Sequence, residues 1–362
     1  MSTIARMTAR QRVCAAFARG EPDRVPIMYE GNACIDRRLR AHFGVDTMVG
    51  VRERLGCDII NIFPSYSGPA LHAATIGTDR LVDPAWGIVR RWVENPSGGY
   101  WDFCDFPLAA ADADAARSWS MPDPAHFDYN GICHQLAAVG DLAVLLGSPG
   151  IGDVINSSGM LFGMEQVLIR LIDGDAALAD IVDRRISILC VVVERMLDLA
   201  GERIDGLWIG EDLGTQIGPM ISMAMFHEHI APRLQRFIDL ACRHDKPVVM
   251  HSCGSSHHFF DELSAMGVCC MQTLQPEAAG MQPARLKRIY GDRLAFMGGL
   301  STAGVLASGS IEAVRAEVRN VLAAYMPGGG YVFGPTHMVQ DDTPTDNVLA
   351  AFDAARCHGV YA

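Results

Sequence analysis

From residue 200 onward, short apolar runs alternate with amphipathic helical patterns. Gly206-Leu207-Trp208-Ile209 is strand-like, and residues 222–244 follow with a helical period. Val248 to Met250 precedes a helix near 257–266, Cys269 to Leu274 precedes 283–290, and Leu294 to Met297 precedes 311–325. Tyr331 to Phe333 precedes a last helix after Pro344. Strands separated by helices pair in parallel, under a cover of those helices. The first half adds Val25–Tyr29, Asp58–Phe63 and Ala143–Leu146, which brings the strands to the eight of a closed barrel. The expected fold is therefore α/β, a single (β/α)8 TIM barrel over residues 1–362. Between its second and third strands, about 70–128, lies a stretch rich in Trp, Pro and Asp, "DPAWGIVRRWVENPSGGYWDF". Its alternation predicts an inserted β-hairpin laid over one mouth. An open doubly wound sheet fits the same periodicity.

The chain is long enough for a large core: 362 residues, 49% hydrophobic and 20% charged. A net charge of -12 argues against a general nucleic-acid or anionic-membrane binder. No apolar run reaches the roughly 18 residues of a membrane span. The opening "MSTIARMTARQRVCAAFARGEPDR" reads as a polar first helix, not a signal peptide. The expectation is a cytoplasmic protein whose 11 cysteines are reduced. A cysteine with a task is then a ligand or a nucleophile.

Barrel sites sit at the C-terminal ends of strands, so the residues after each apolar run carry the interest. "VVMHSCG" ends a strand in His251 and Cys253, two residues apart. Residues i and i+2 of extended chain share a side, so both can face one ion. Thiolate with imidazole suits zinc, and His337 at the end of the eighth strand is a third candidate. On spacing alone, a packed cysteine beside a hydrogen-bonded histidine is the better account. Glu211 and Asp212, in "WIGEDLGTQIGP", follow a buried strand and fit either catalysis or loop anchoring. Asn32 and Gln275 stand at strand ends where a substrate would be oriented. Tyr66 stands at another, although packing of the insertion is its plainer account. Asp341 and Asp342, before Thr343-Pro344, read as caps of the last helix.

The chain resembles the uroporphyrinogen decarboxylase superfamily through several blocks in order: "TARQRVCAAFARGEPDRVPIM", "IGEDLGTQIGPMIS", "VVMHSCGSSHHFFDELSAMGV", "LQPEAAGMQPARLKRIYGDRLAFMGGLST" and "GPTHMVQDDTPTDNVLAAFDAAR". The resemblance implies a (β/α)8 barrel with its site at the C-terminal mouth. It also implies one of two chemistries: a decarboxylase without metal or cofactor, or a zinc methyltransferase working with a corrinoid. This chain departs from the decarboxylase branch. Where that branch has an Arg-rich R-Q-A-G-R segment, it has Tyr29-Glu30-Gly31-Asn32-Ala33. Ser65 and Ile155 stand where that branch has an aspartate and a tyrosine, and only His337 is kept. The methyltransferase branch has an H-x-C zinc pair, matched by His251 and Cys253, and a later cysteine ligand where this chain has His337. The implied metal ligands are thus His251, Cys253 and His337, with Glu211, Asp212 and His337 as catalytic candidates. Tyr66, Gln275 and Asn32 are the substrate-binding candidates.

The implied activity moves a methyl group between a corrinoid and a thiol or a small methoxy, methylamine or methylthio substrate. No corrinoid-binding module is evident, so the corrinoid is expected free or on a partner protein. The alternatives are a cofactor-free decarboxylase using His337 and Asp212 as acid and base, and a non-catalytic ligand-binding barrel.

Overall fold

The structure is a computed structural model that describes residues 7–73, 79–96 and 98–361. In chain order its strands are β1 (Ile59–Ile62), β2 (Arg80–Val82), β3 (Val89–Asn95), β4 (Gly98–Phe103), β5 (Ala143–Gly147), β6 (Gly206–Gly210), β7 (Val248–Ser252), β8 (Val268–Thr273), β9 (Ala295–Leu300) and β10 (Tyr331–Pro335). Seven of them, in the order β1-β5-β6-β7-β8-β9-β10, form one sheet in which every neighbouring pair is parallel. Parallel pairing of successive strands follows from the helices inserted between them. β5, β6 and β7 are buried at every position, as strands packed on both faces must be.

The expected first strand, Val25–Tyr29, is the exception. Only Ile27 pairs as a strand residue, in a parallel bridge to Phe333 of β10. The Phe333 N–H donates to the Pro26 carbonyl, and the Met28 N–H donates to the Phe333 carbonyl. On the other side, the Asp58 N–H donates to the Ile27 carbonyl at 2.7 Å. A longer ladder is blocked because Pro26 has no N–H and the Ile27 N–H is taken by the Asp58 carboxylate at 2.8 Å. The segment bonds both edges of the sheet, β10 and β1, so the sheet is curled.

Inside the curl, Leu145, Trp208, Val249, Cys270, Met297 and Val332 form one buried cluster. Val13, Ala16 and Phe17 of the helix Ala9–Phe17 belong to it and close one end. A Thr8/Gln11 capping box starts that helix. Two residues beyond Val249 and Cys270, on the same inner side, stand His251 and Gln272, paired in register. The apolar stack therefore ends in polar groups at the C-terminal ends of β7 and β8.

Between β1 and β5, the strands β2, β3 and β4 make a separate antiparallel sheet. It contains the expected hairpin, β3 with β4, and a further strand, β2. Residues 74–78 and 97 of the expected insertion, and residues 1–6 of the expected first helix, lie outside the described residues. The stretch is tied to the long helix Ala176–Ala200, where Arg184 donates to the Ala116 carbonyl at 2.9 Å, and to the helix Ile155–Phe162, where the Leu161 carbonyl accepts the Leu108 N–H. Among the described residues, no helix is long and apolar enough to cross a membrane.

Candidate metal centre

The backbone leaves β7 through Gly254, at φ 69°. A Cβ at Gly254 would lie 2.4 Å from the Gly214 carbonyl oxygen, and one at Gly214 would lie 2.4 Å from the Ser255 nitrogen. The loops after β6 and β7 therefore touch backbone to backbone, which only glycine permits. Hydrogen bonds fasten them together. The Glu211 N–H donates to the His251 carbonyl at 3.1 Å, the Leu213 N–H to Ser252 Oγ at 3.0 Å, and the Ser255 N–H to the Thr215 carbonyl at 2.7 Å.

This fastening brings Asp212 against the H-x-C pair. Asp212 Oδ1 accepts the Cys253 N–H at 2.8 Å and lies 3.4 Å from His251 Nε2. Cys253 Sγ lies 3.3 Å from the same nitrogen. Their ligand atoms all fall within 4.8 Å of one another. On its other side, His251 Nδ1 meets Gln272 Oε1 and, at 2.9 Å, Thr273 Oγ1. The Thr273 hydroxyl donates to Gln272 Oε1 at 3.1 Å, so that oxygen is an acceptor. Nδ1–H donation to it turns Nε2 toward Asp212 and Cys253, where its lone pair becomes available once that nitrogen gives up its proton.

Burial alone would lower the pKa of His251, but the adjacent Asp212 carboxylate and Cys253 sulfur hold it well above the ordinary range. Burial would raise Asp212, and its contact with His251 instead pulls it below the usual carboxylate range. The two shifts share one cause, the attraction between the His251 ring and the Asp212 carboxylate. Zinc bonds of about 2.0–2.3 Å place tetrahedral ligand atoms roughly 3.3–3.8 Å apart. The 3.3 and 3.4 Å separations from Nε2 match that spacing. Carboxylate, imidazole and thiolate are a zinc donor set, so the residues fit the ion.

His337 lies across from this group, its ring centroid 6.3 Å from that of His251. Burial, and then the charge on His251, push its pKa down, favouring a neutral ring. Glu30, half-buried at the end of the bridging segment, has its pKa raised by burial, while His251 partly offsets the rise.

Residues 192–358 match the family model "Uroporphyrinogen decarboxylase (URO-D)". That stretch resembles the URO-D family and covers a little under half of the chain. Asp212, His251, Cys253 and His337 all fall inside that match, and Asn32 and Tyr66 fall outside it. Among curated proteins, the chain is 29% identical over 149 residues to a uroporphyrinogen decarboxylase of Azoarcus sp., covering 39% of this chain and 38% of that protein. It is 28% identical over 131 residues to the methylcobamide:CoM methyltransferase MtaA of Methanosarcina barkeri, covering 36% of each. The matched stretch thus spans little more than a third of either relative. Among solved structures, a methyltransferase from Methanosarcina mazei covers 97% of this chain and 98% of its own, at TM-score 0.65 and 15% identity. That likeness establishes a shared fold.

The other expected site residues have local duties. Glu211 is buried and accepts the N–H groups of Val154, at 2.7 Å, and Ile155, at 3.2 Å. Burial and then nearby Asp153 push its pKa well up. Gln275 Oε1 accepts the Gly254 N–H at 2.7 Å and so steadies the turn after Cys253. Asn32 caps the helix Ala33–Phe43 and donates to Asp341 Oδ1 at 3.3 Å. The capping expected of Asp341 and Asp342 is corrected: Pro344 is the N-cap of Thr345–His358, with no side-chain cap. Tyr66 donates to the Pro69 carbonyl and lines a cavity of about 430 Å³ with Trp86, Phe127 and Arg185, none of them in the metal group.

Sequence reading missed Asn156, Gln272 and Thr273. The latter two were legible in principle, because Gln272 continues the inward alternation of Cys270. Asn156 carried no signal, since its partner Asp212 lies 56 residues away.

Proposed function

We propose that this chain is a zinc-dependent methyltransferase that moves a methyl group between a corrinoid and a thiol or small methylated substrate. The reading rests above all on the Asp212, His251 and Cys253 group at the C-terminal end of β7. The methyltransferase fold likeness and the methylcobamide:CoM methyltransferase relative support it. We read the seven strands plus the 25–29 segment as one (β/α)8 barrel, a single domain with the 70–128 stretch inserted, and this group as lying in its mouth.

Zinc bound there would act as a Lewis acid, favouring the thiolate of a bound thiol or polarising a methoxy oxygen. The chain's residues provide the setting. Asp212, His251 and Cys253 would hold the ion, and Gln272 and Thr273 fix the His251 tautomer. His337 stands across the group with a neutral imidazole, able to serve as a further donor or to accept a proton. Glu211 and Gln275 hold the loops that carry these groups. The corrinoid would come free or on a partner protein.

Metal analysis of protein purified without added metal tests the first half of the proposal. Roughly one zinc per chain is expected, lost in both His251→Ala and Cys253→Ala. No metal in a folded protein would overturn it. Methyl transfer to and from a supplied corrinoid, over thiol, methoxy, methylamine and methylthio substrates, then identifies the reaction.

A second reading, cofactor-free decarboxylation, is favoured by the Azoarcus relative. It has less support from the residues. The 29–33 segment holds no arginine, and nearby Arg38 donates to the carbonyls of Asp341 and Thr343. A polycarboxylate substrate would find no cationic clamp there. Turnover of uroporphyrinogen by metal-free protein would establish this reading instead.

A further inference from the structure

We infer that Asn156 is a positioning residue that fixes which oxygen of Asp212 faces His251 and Cys253. The inference rests on the metal reading above for its consequence and on hydrogen bonding for its geometry. Asn156 Nδ2 donates to Asp212 Oδ2 at 2.7 Å. The other oxygen, Oδ1, accepts the Cys253 N–H at 2.8 Å and lies 3.4 Å from His251 Nε2. The carboxylate is therefore held at both ends, and one oxygen, not two, is offered to the group.

The turn that carries the anchor is itself held by hydrogen bonds. Asn156 lies in the first turn of the helix Ile155–Phe162, which has no side chain of its own capping its start. That start is held from the neighbouring chain segment: Glu211 accepts the Val154 and Ile155 N–H groups, and Asp153 accepts the Ser157 N–H at 3.1 Å and its hydroxyl at 2.8 Å. Adjacent carboxylates thus divide the work. Glu211 grips the backbone of this turn, and Asp212 is gripped by its side chain. A charge-assisted bond to a half-buried carboxylate is strong and directional, which suits it to orienting a ligand.

The test measures zinc affinity by competition with a chromophoric chelator, and the visible spectrum of the cobalt(II)-loaded protein. Asn156→Ala removes the donor, and Asn156→Asp removes it at nearly constant shape. Both are expected to bind zinc about 10–100-fold more weakly, with an altered cobalt spectrum. In an Asp212→Ala background, Asn156→Ala should add little, because the residue acts through Asp212. Equal losses in both backgrounds, or unchanged affinity and spectrum in either single variant, would overturn the inference. If the parent protein binds no zinc, the metal reading fails by itself. Crystal structures of the parent and Asn156→Ala then decide the positioning: Asp212 Oδ1 should leave the Cys253 amide in the variant, and an unmoved carboxylate would sink the idea.

Discussion

At the scale of single residues, two histidines divide what sequence reading had pooled. His251 touches both Asp212 and Cys253, whereas His337 stands a ring away at 6.3 Å between centroids. The compact group contains Asp212 where His337 was the expected third ligand. The two histidines are therefore separable by experiment. Asp212→Ala should weaken zinc binding by about 10-fold or more, whereas His337→Ala should keep most of the metal and lose methyl transfer. Metal content and turnover, measured on the same preparations, check both. Loss of metal in His337→Ala with retention in Asp212→Ala would return His337 to the ligand set.

At the scale of elements, the site depends on two loops that meet through glycine. Gly254→Ala puts a Cβ against the Gly214 carbonyl and forces a side chain into the left-handed region. The expected cost is about 1–3 kcal/mol, with loss of zinc beyond what the stability change explains. A thermal melt beside a metal titration measures both. Glu211 supports the opposite side. Glu211→Ala leaves the buried Val154 and Ile155 N–H groups without an acceptor, at roughly 2–4 kcal/mol for the two. Glu211→Gln keeps an acceptor oxygen and should recover most of that stability. Denaturant unfolding of the pair shows whether Glu211 works as an acceptor for the helix start. Equal stability of the two variants would refute that role.

At the scale of the whole molecule, one ion cluster ties the N-terminal helix, the bridging segment and β1 together. Asp58 accepts from Arg12 at 2.6 Å, from Arg24 at 2.7 Å and from the Ile27 N–H at 2.8 Å. Asp58→Ala leaves the buried Arg12 guanidinium short of a partner and unpins Ile27, so a loss of about 3–5 kcal/mol is expected in urea unfolding. The same arginine donates to Asp23 and, against the effect of burial, draws that carboxyl below its usual pKa. Its native pKa lies below the unfolded value of about 3.9, so the contribution is complete above that pH. It is lost as pH falls through the lowered native value. The melting-temperature gap between the parent and Asp23→Asn should therefore be widest above pH ~4 and close at lower pH. A gap that widened on acidification would show the linkage to be wrong.

Periodicity alone placed seven of the eight expected strands, because a strand buried on both faces must be apolar throughout and bounded by turn residues. It also set His251 and Cys253 on one side of an extended chain. It overestimated Val25–Tyr29, where Pro26 and a side-chain bond to Asp58 interrupt the ladder. It placed caps at Asp341 and Asp342, although Asp341 turns toward Asn32. Local pattern determined the elements and the H-x-C pair, since both follow from chemistry within a few residues. The tertiary structure decided the third member of the group, the oxygen it offers and the tautomer behind it. Asp212, Asn156 and Gln272 are brought to that pair from three other parts of the chain, and no pattern along the chain records a hydrogen bond between residues 56 apart.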